Sequence, residues 1–302
     1  MAVSTSAPPR ESADRGFRAP LGDTIREKFT QTVLLLGTAV ALAVLAILLV
    51  DILFDGVGGL SVDFLTQYTS RFPEKTGIRA GLTGTLSLMV LVALMTVPLG
   101  VGAALYLEEF APRNRWTRLL ETNINNLAGV PSIVYGLLGL SVFVFFLGFG
   151  RSLLTGALTL TALVIPVVIV ASREALRSVP REIRAGGLAL GATPLQVAVR
   201  QTLPAAIPSI LTGMILALSR AIGETAPILV AGAALSRRAD SEPWNVFESY
   251  TAIPIQIFDF VKRPQEEFQV GVASAAIIVL IALRLIMNSA AIIIRNRYAR
   301  NR

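Results

Sequence analysis

Six long apolar stretches, separated by loops that carry the arginines, constrain this chain more than any other feature of it. A hydrocarbon core about 30 Å thick is crossed by roughly 20 helical residues. Residues 32–54, 80–107, 127–149, 153–171, 209–235 and 270–294 reach or approach that length. Only 16% of the chain is charged and 53% is apolar, where soluble domains run at about 25% charged. An all-α, polytopic membrane protein with six transmembrane helices is expected. The first stretch is too long, and starts too far from Met1, for a cleaved signal peptide, so it reads as a retained span. Residues 1–31 read as a largely disordered tail, 32–79 as the first helix with an outer loop, and 80–302 as the main transmembrane domain.

Whole classes of chemistry are excluded by what is missing. Without Cys or His there is no disulfide framework, no thiol nucleophile, no imidazole base and no ordinary zinc site. Lys28, Lys75 and Lys262 are the only lysines and none sits in a phosphate-loop context, so the chain is no self-contained ATPase of that kind. Its net charge of +7 needs no nucleic acid, because basic residues beside membrane spans account for it. Arginines crowd the tail before residue 32, the loop after span two (Arg113, Arg115, Arg118), the loop after span four (Arg173, Arg177, Arg181, Arg184, Arg200) and the C-terminus. An even number of spans with that bias puts both termini in the cytoplasm.

The loop between spans four and five, residues 172–208, is the most informative segment. Pro180 opens a short helix that runs to Leu190, and Gly191 supplies a left-handed stop. Thr193, Pro194 and Gln196 then form a capping box for a second helix that ends before Pro204. On it Leu195, Ala198, Val199 and Leu203 share an apolar stripe. Such an elbow can press an apolar ridge into a groove on a soluble partner.

Two pairs of polar residues lie at membrane depth. In span five Arg220 and Glu224 are four apart on one face, and Gly223 with Pro227 permits a kink beside them. The pair reads either as an anion site, with the guanidinium fork offered to an oxyanion, or as an ion pair that fixes packing. Arg284 and Asn288 in span six repeat the spacing, as a pathway pair or as an inter-helix tie.

The 172–208 segment resembles the "EAA" loop of ABC-importer permeases: Gly191 and Leu203-Pro204 match in register. The EAA positions read Ala185, Gly186 and Gly187, and the Ile position is Gln201. The stretches LSRAIGETAPILVAGA, NLAGVPSIVYGL, TAIPIQIFDFVKRPQEEF and LIMNSAAIIIRNR together resemble the PstA family of phosphate ABC-transporter permeases, from about residue 80 onward. The resemblance implies an ABC type I importer permease fold and a plasma-membrane location. It implies a PstC-like permease partner, a PstB-like ATPase dimer that alone holds ATP and Mg, and a PstS-like periplasmic phosphate-binding protein. Inorganic phosphate would pass Arg220, Glu224, Arg284 and Asn288. The ATPase would dock on Ala185, Gly186, Gly187, Gly191, Ala192, Thr193, Pro194, Leu195, Leu203 and Pro204. No cofactor is expected in this chain itself, and membrane lipid is its solvent. Alternatives are a permease for sulfate or a phosphonate, a PstC-type subunit, or a channel or secondary transporter working without ATP. The last would need no elbow.

Overall fold

The structure, a computed structural model, describes residues 21–234 and 245–300, with side chains described from residue 26 to 298. The N-terminal tail as far as residue 20, and Arg237 and Arg238 of the loop after span five, lie outside the described residues. Two compact units meet at Asp51, Met1–Asp51 and Ile52–Arg302.

The first unit is the body of helix α1 (Leu21–Val57). This helix begins eleven residues ahead of the expected span, so residues 21–31 are helix rather than tail. Pro20 precedes it, and the segment after Gly22 has no helix breaker, while Thr30 and Thr32 return their hydroxyls to the carbonyls of Arg26 and Lys28 at 2.8 Å. Every side chain from Arg26 to Val50 is exposed. A helix so apolar along 32 residues, Arg26–Val57, needs lipid or another chain against it.

The second unit is built on α6 (Leu153–Arg177), which packs between α3 (Arg79–Leu105) and α9 (Leu203–Ile222), with α12 (Ala273–Arg300) laid on α9. Its core is Leu88 and Val92 of α3, Leu160, Val168 and Leu176 of α6, and Ile210 of α9, all 2% exposed or less. Small residues bring the helices together: a Cβ on Gly100 would stand 2.7 Å from Val168, and one on Gly213 2.6 Å from Ala171. Close backbone approach of this kind is how helices gain packing where lipid removes the hydrophobic drive. Ser152 caps α6 by accepting from the Thr155 N–H, after a turn in which Gly148 and Gly150 take positive φ.

Near the N-terminal ends of α3 and α12 lies a second cluster around α2 (Val62–Thr66), joined by Phe64, Ile78, Phe260 and Phe268. The segment 245–252 buries Tyr250 in the main core, against Gly156 of α6, and burial pushes its phenol above its ordinary range.

The expected third span, residues 127–149, is not one helix. It is divided between α4 (Arg115–Ala128) and α5 (Ser132–Leu138), the latter prolonged by a wide-turned segment to Phe146, with a 105° bend between them. Pro131 is the cause. It lacks an N–H and disfavours helix at the residue before it, and Gly129 closes α4. Ser132–Phe146 rises about 22 Å, short of the roughly 30 Å core. The described residues thus hold five full-length apolar helices plus one bent pair, six crossings if the pair counts as one. Their regular structure is all helical, with no strand among the described residues.

Candidate functional site

Arg220 and Glu224 meet where α9 ends. Arg220 donates from Nε to Glu224 Oε1 at 3.1 Å, but not along a continuous helix. α9 stops at Ile222, Gly223 is its C-cap, and α10 (Ala226–Val230) starts afresh with Pro227 in its first turn. The expected kink is therefore a full break. Pro227 begins a helix instead of bending one, which is the position where its missing N–H costs nothing. It also packs on α5, where a Cβ on Gly136 would come 2.8 Å from Pro227 Cα.

The pair is asymmetric in exposure: the Glu224 side chain is 16% exposed and that of Arg220 60%. Beneath them is a crevice of about 20 Å³ lined by Ala128, Leu163, Val164 and Ala217 among others, room for about one water. Within this chain the pair is thus an edge rather than a closed pocket. With Nε held by Glu224, both Nη groups of Arg220 have no hydrogen-bond partner among the described residues. They form the planar fork that suits an oxyanion. Tyr135, donating to the Leu127 carbonyl at 2.8 Å across the 105° bend, holds the α4–α5 corner beside this crevice.

Arg284 and Asn288 do not join that pair. Both donate to Ser219 Oγ on α9, at 2.8 and 3.0 Å. They tie α12 to α9 through a serine that stands next to Arg220 in sequence. Sequence reasoning missed Ser219; its only signal was a lone hydroxyl beside an arginine in an apolar run.

The elbow is present with a changed second half. α7 (Arg181–Ala189) starts after Pro180, Gly191 has φ +83°, and Thr193 and Gln196 complete the capping box. Nothing crowds Gly191 or Gly186, so Gly191 is there for its conformation. Gly187, by contrast, lets Gln201 and Val197 close in. The second elbow helix, α8 (Pro194–Val197), does not end before Pro204. It passes through a wide turn, Ala198–Thr202, into α9, giving one helical run Pro194–Ile222. The wide turn shifts the hydrogen-bond ladder just ahead of Pro204, so the proline falls in the first turn of α9 where its N–H is not needed. The expected stripe also divides. Ala198 is buried with Val197, while Leu195 and Val199 are exposed, as are Leu188 and Leu190.

Residues 96–300 match the family described as binding-protein-dependent transport system inner membrane component. The chain belongs to this family. It is a multi-pass inner-membrane permease subunit of an ABC importer, and PstA-like in sequence. It is 37% identical over 218 residues to the phosphate transport system permease protein PstA 1 of Mycobacterium tuberculosis, covering 72% of this chain and 70% of that one. It is 36% identical to the probable ABC transporter permease protein YqgI of Bacillus subtilis, with 82% of each chain covered. In fold it is similar to a chain of a bacterial alginate ABC transporter solved with its alginate-bound periplasmic protein: TM-score 0.63 at 17% identity, covering 90% of this chain and 96% of that one. The inward-facing MetNI methionine transporter gives 0.57 at 14% identity, covering 73% and 97%. The matched region of the permease contains the elbow, the Arg220–Glu224 edge and α12.

Sequence reasoning also missed the ion pairs that seat the permease's elbow. Arg184 of α7 pairs with Glu109 at 2.8 Å and donates to the carbonyls of Leu176 and Val179. Arg177 pairs with Glu108 at 3.0 Å and Arg173 with Glu121 at 2.7 Å. Partners 52 to 75 residues apart leave no local signal.

Proposed function

We propose that this permease is half of the membrane path of an ATP-driven phosphate importer. The observation that carries the reading is the Arg220–Glu224 edge at the broken end of a helix that starts in the elbow. Arg220 is anchored at Nε, open at both Nη groups and 60% exposed. A permease partner facing that edge would close the site around a dehydrated oxyanion. The PstA 1 likeness supports phosphate as that anion.

The coupling follows from continuity. An ATPase dimer resting on Leu188, Leu190, Leu195 and Val199 moves the Pro194–Ile222 run as one piece, a lever about 43 Å long. Its far end carries Arg220. ATP and Mg act on that partner and not on this chain. Both termini then face the cytoplasm, and PstC-like, PstB-like and PstS-like proteins complete the assembly.

The test is uptake by the complex reconstituted in liposomes, with labelled phosphate and unlabelled competitors. Unlabelled phosphate should suppress uptake at far lower concentration than sulfate or methylphosphonate. Equal competition by sulfate would move the assignment to another oxyanion.

A further inference from the structure

Beside the elbow the permease has a second cationic place that the transport path does not use. A cavity of about 890 Å³ opens between α4, α7 and the wide turn Tyr106–Phe110 that follows α3. Six arginines and three glutamates line it. The glutamates are all engaged: Glu108 with Arg177, Glu109 with Arg184, Glu121 with Arg173. The guanidinium groups of the lining residues Arg113, Arg118 and Arg181 have no ion pair or hydrogen bond among the described residues. The cavity therefore holds an excess of three positive charges, brought from two directions. Arg113 comes from just ahead of the α4 N-cap, Arg118 from the start of α4 and Arg181 from the first turn of α7. All three residues are exposed, so their charges face the water of the open cavity, where an anion entering it would be attracted.

The α4 helix is built to expose that charge. Asn114, Thr117, Arg118 and Glu121 form its cavity face. Trp116, Leu119, Leu120 and Leu127 point the other way, exposed on the opposite side. The polar face is thus open to the aqueous side of the recess, while the apolar face is turned to lipid or to another subunit.

We propose that this cavity binds a phosphate group, bridged between Arg113 and Arg118 on one wall and Arg181 on the other. A tetrahedral oxyanion offers enough lone pairs for two forked guanidinium contacts at once. Bound there, it fastens α7 of the elbow to the start of α4 and so resists the lever movement that transport needs. Its natural sources are free phosphate on the inner side and the headgroup of an anionic lipid. The proposal rests on the functional reading above only for the side of the membrane that supplies the anion.

The experiment is equilibrium binding of labelled inorganic phosphate to the purified complex without its binding protein. Wild type, Arg118→Gln with Arg181→Gln, and Arg220→Gln are compared, with retained ATP hydrolysis as proof of assembly. The α4–α7 class should weaken about tenfold for each arginine removed and persist in Arg220→Gln. Arg113→Gln alone is a milder variant that should weaken the same class if the double variant fails to assemble. Repeating the titration in phosphatidylcholine discs with and without phosphatidylglycerol separates the sources. Loss of the class when phosphatidylglycerol is present assigns the site to lipid, and an unchanged class assigns it to free phosphate. Binding in assembled Arg118→Gln/Arg181→Gln equal to wild type overturns the proposal. The transport-path reading is scored apart from this one, by whether Arg220→Gln removes a binding class other than the α4–α7 class.

Discussion

Ser219 and Arg220 are neighbours in sequence with opposite fates, and the contrast shows how single side chains divide the work. Ser219 is buried and takes two donors from α12, Arg284 at 2.8 Å and Asn288 at 3.0 Å. Arg220 turns outward and keeps its Nη groups free. Ser219→Ala leaves Arg284 and Asn288 without their common acceptor. Polar ties between membrane helices average about 0.6 kcal/mol, so the variant should show a small, measurable fall in the thermal midpoint of the complex and keep most of its uptake. A large loss of uptake at unchanged stability would move Ser219 from tie to path. Of these residues, the Arg220–Glu224 pairing was legible from a spacing of four in an apolar run. The partner of Arg284 and Asn288 was not, because it lies 65 and 69 residues away.

Among the elements, the elbow is the most completely written in local sequence. Gly191, Thr193, Pro194 and Gln196 each act on their own backbone, and all four do so in the structure. Gly191→Val forces a β-branched residue to φ +83°, against a left-handed penalty of roughly 1–2 kcal/mol. The spans are untouched, so the protein should insert normally. ATPase recovered with the purified complex should fall, or hydrolysis should proceed without uptake. Normal ATPase recovery together with normal uptake would show that the elbow does not couple. Other elements were less legible. The break at Gly129 and Pro131 has clear breaker residues, yet the apolar pattern of residues 127–149 runs straight across them. The continuity of α8 with α9 depends on a wide turn that no residue type announces. Helix α11 (Ile253–Lys262), with Ile253, Ile255, Gln256 and Phe260 almost wholly buried, owes its place to packing on α3 and α12 rather than to any span-like length.

For the whole molecule, the claim is that both ends of the Pro194–Ile222 run belong to one machine, with the elbow inside the cell and Arg220 on the phosphate route. Orientation is checked by impermeant thiol labelling of intact cells, which the absence of native cysteine makes clean. Cysteine at exposed Glu74 should react and cysteine at exposed Ser178 should not; the reverse pattern would place the elbow outside. The most direct measurement is phosphate uptake alongside ATP hydrolysis in liposomes carrying Arg220→Met with Glu224→Leu. A pair that only fixes packing can be replaced by apolar side chains of similar volume at little cost, whereas a phosphate route cannot lose the fork that Arg220 supplies. The expected result is an assembled complex that hydrolyses ATP and takes up no phosphate. Phosphate uptake at the wild-type rate by that variant would contradict the account.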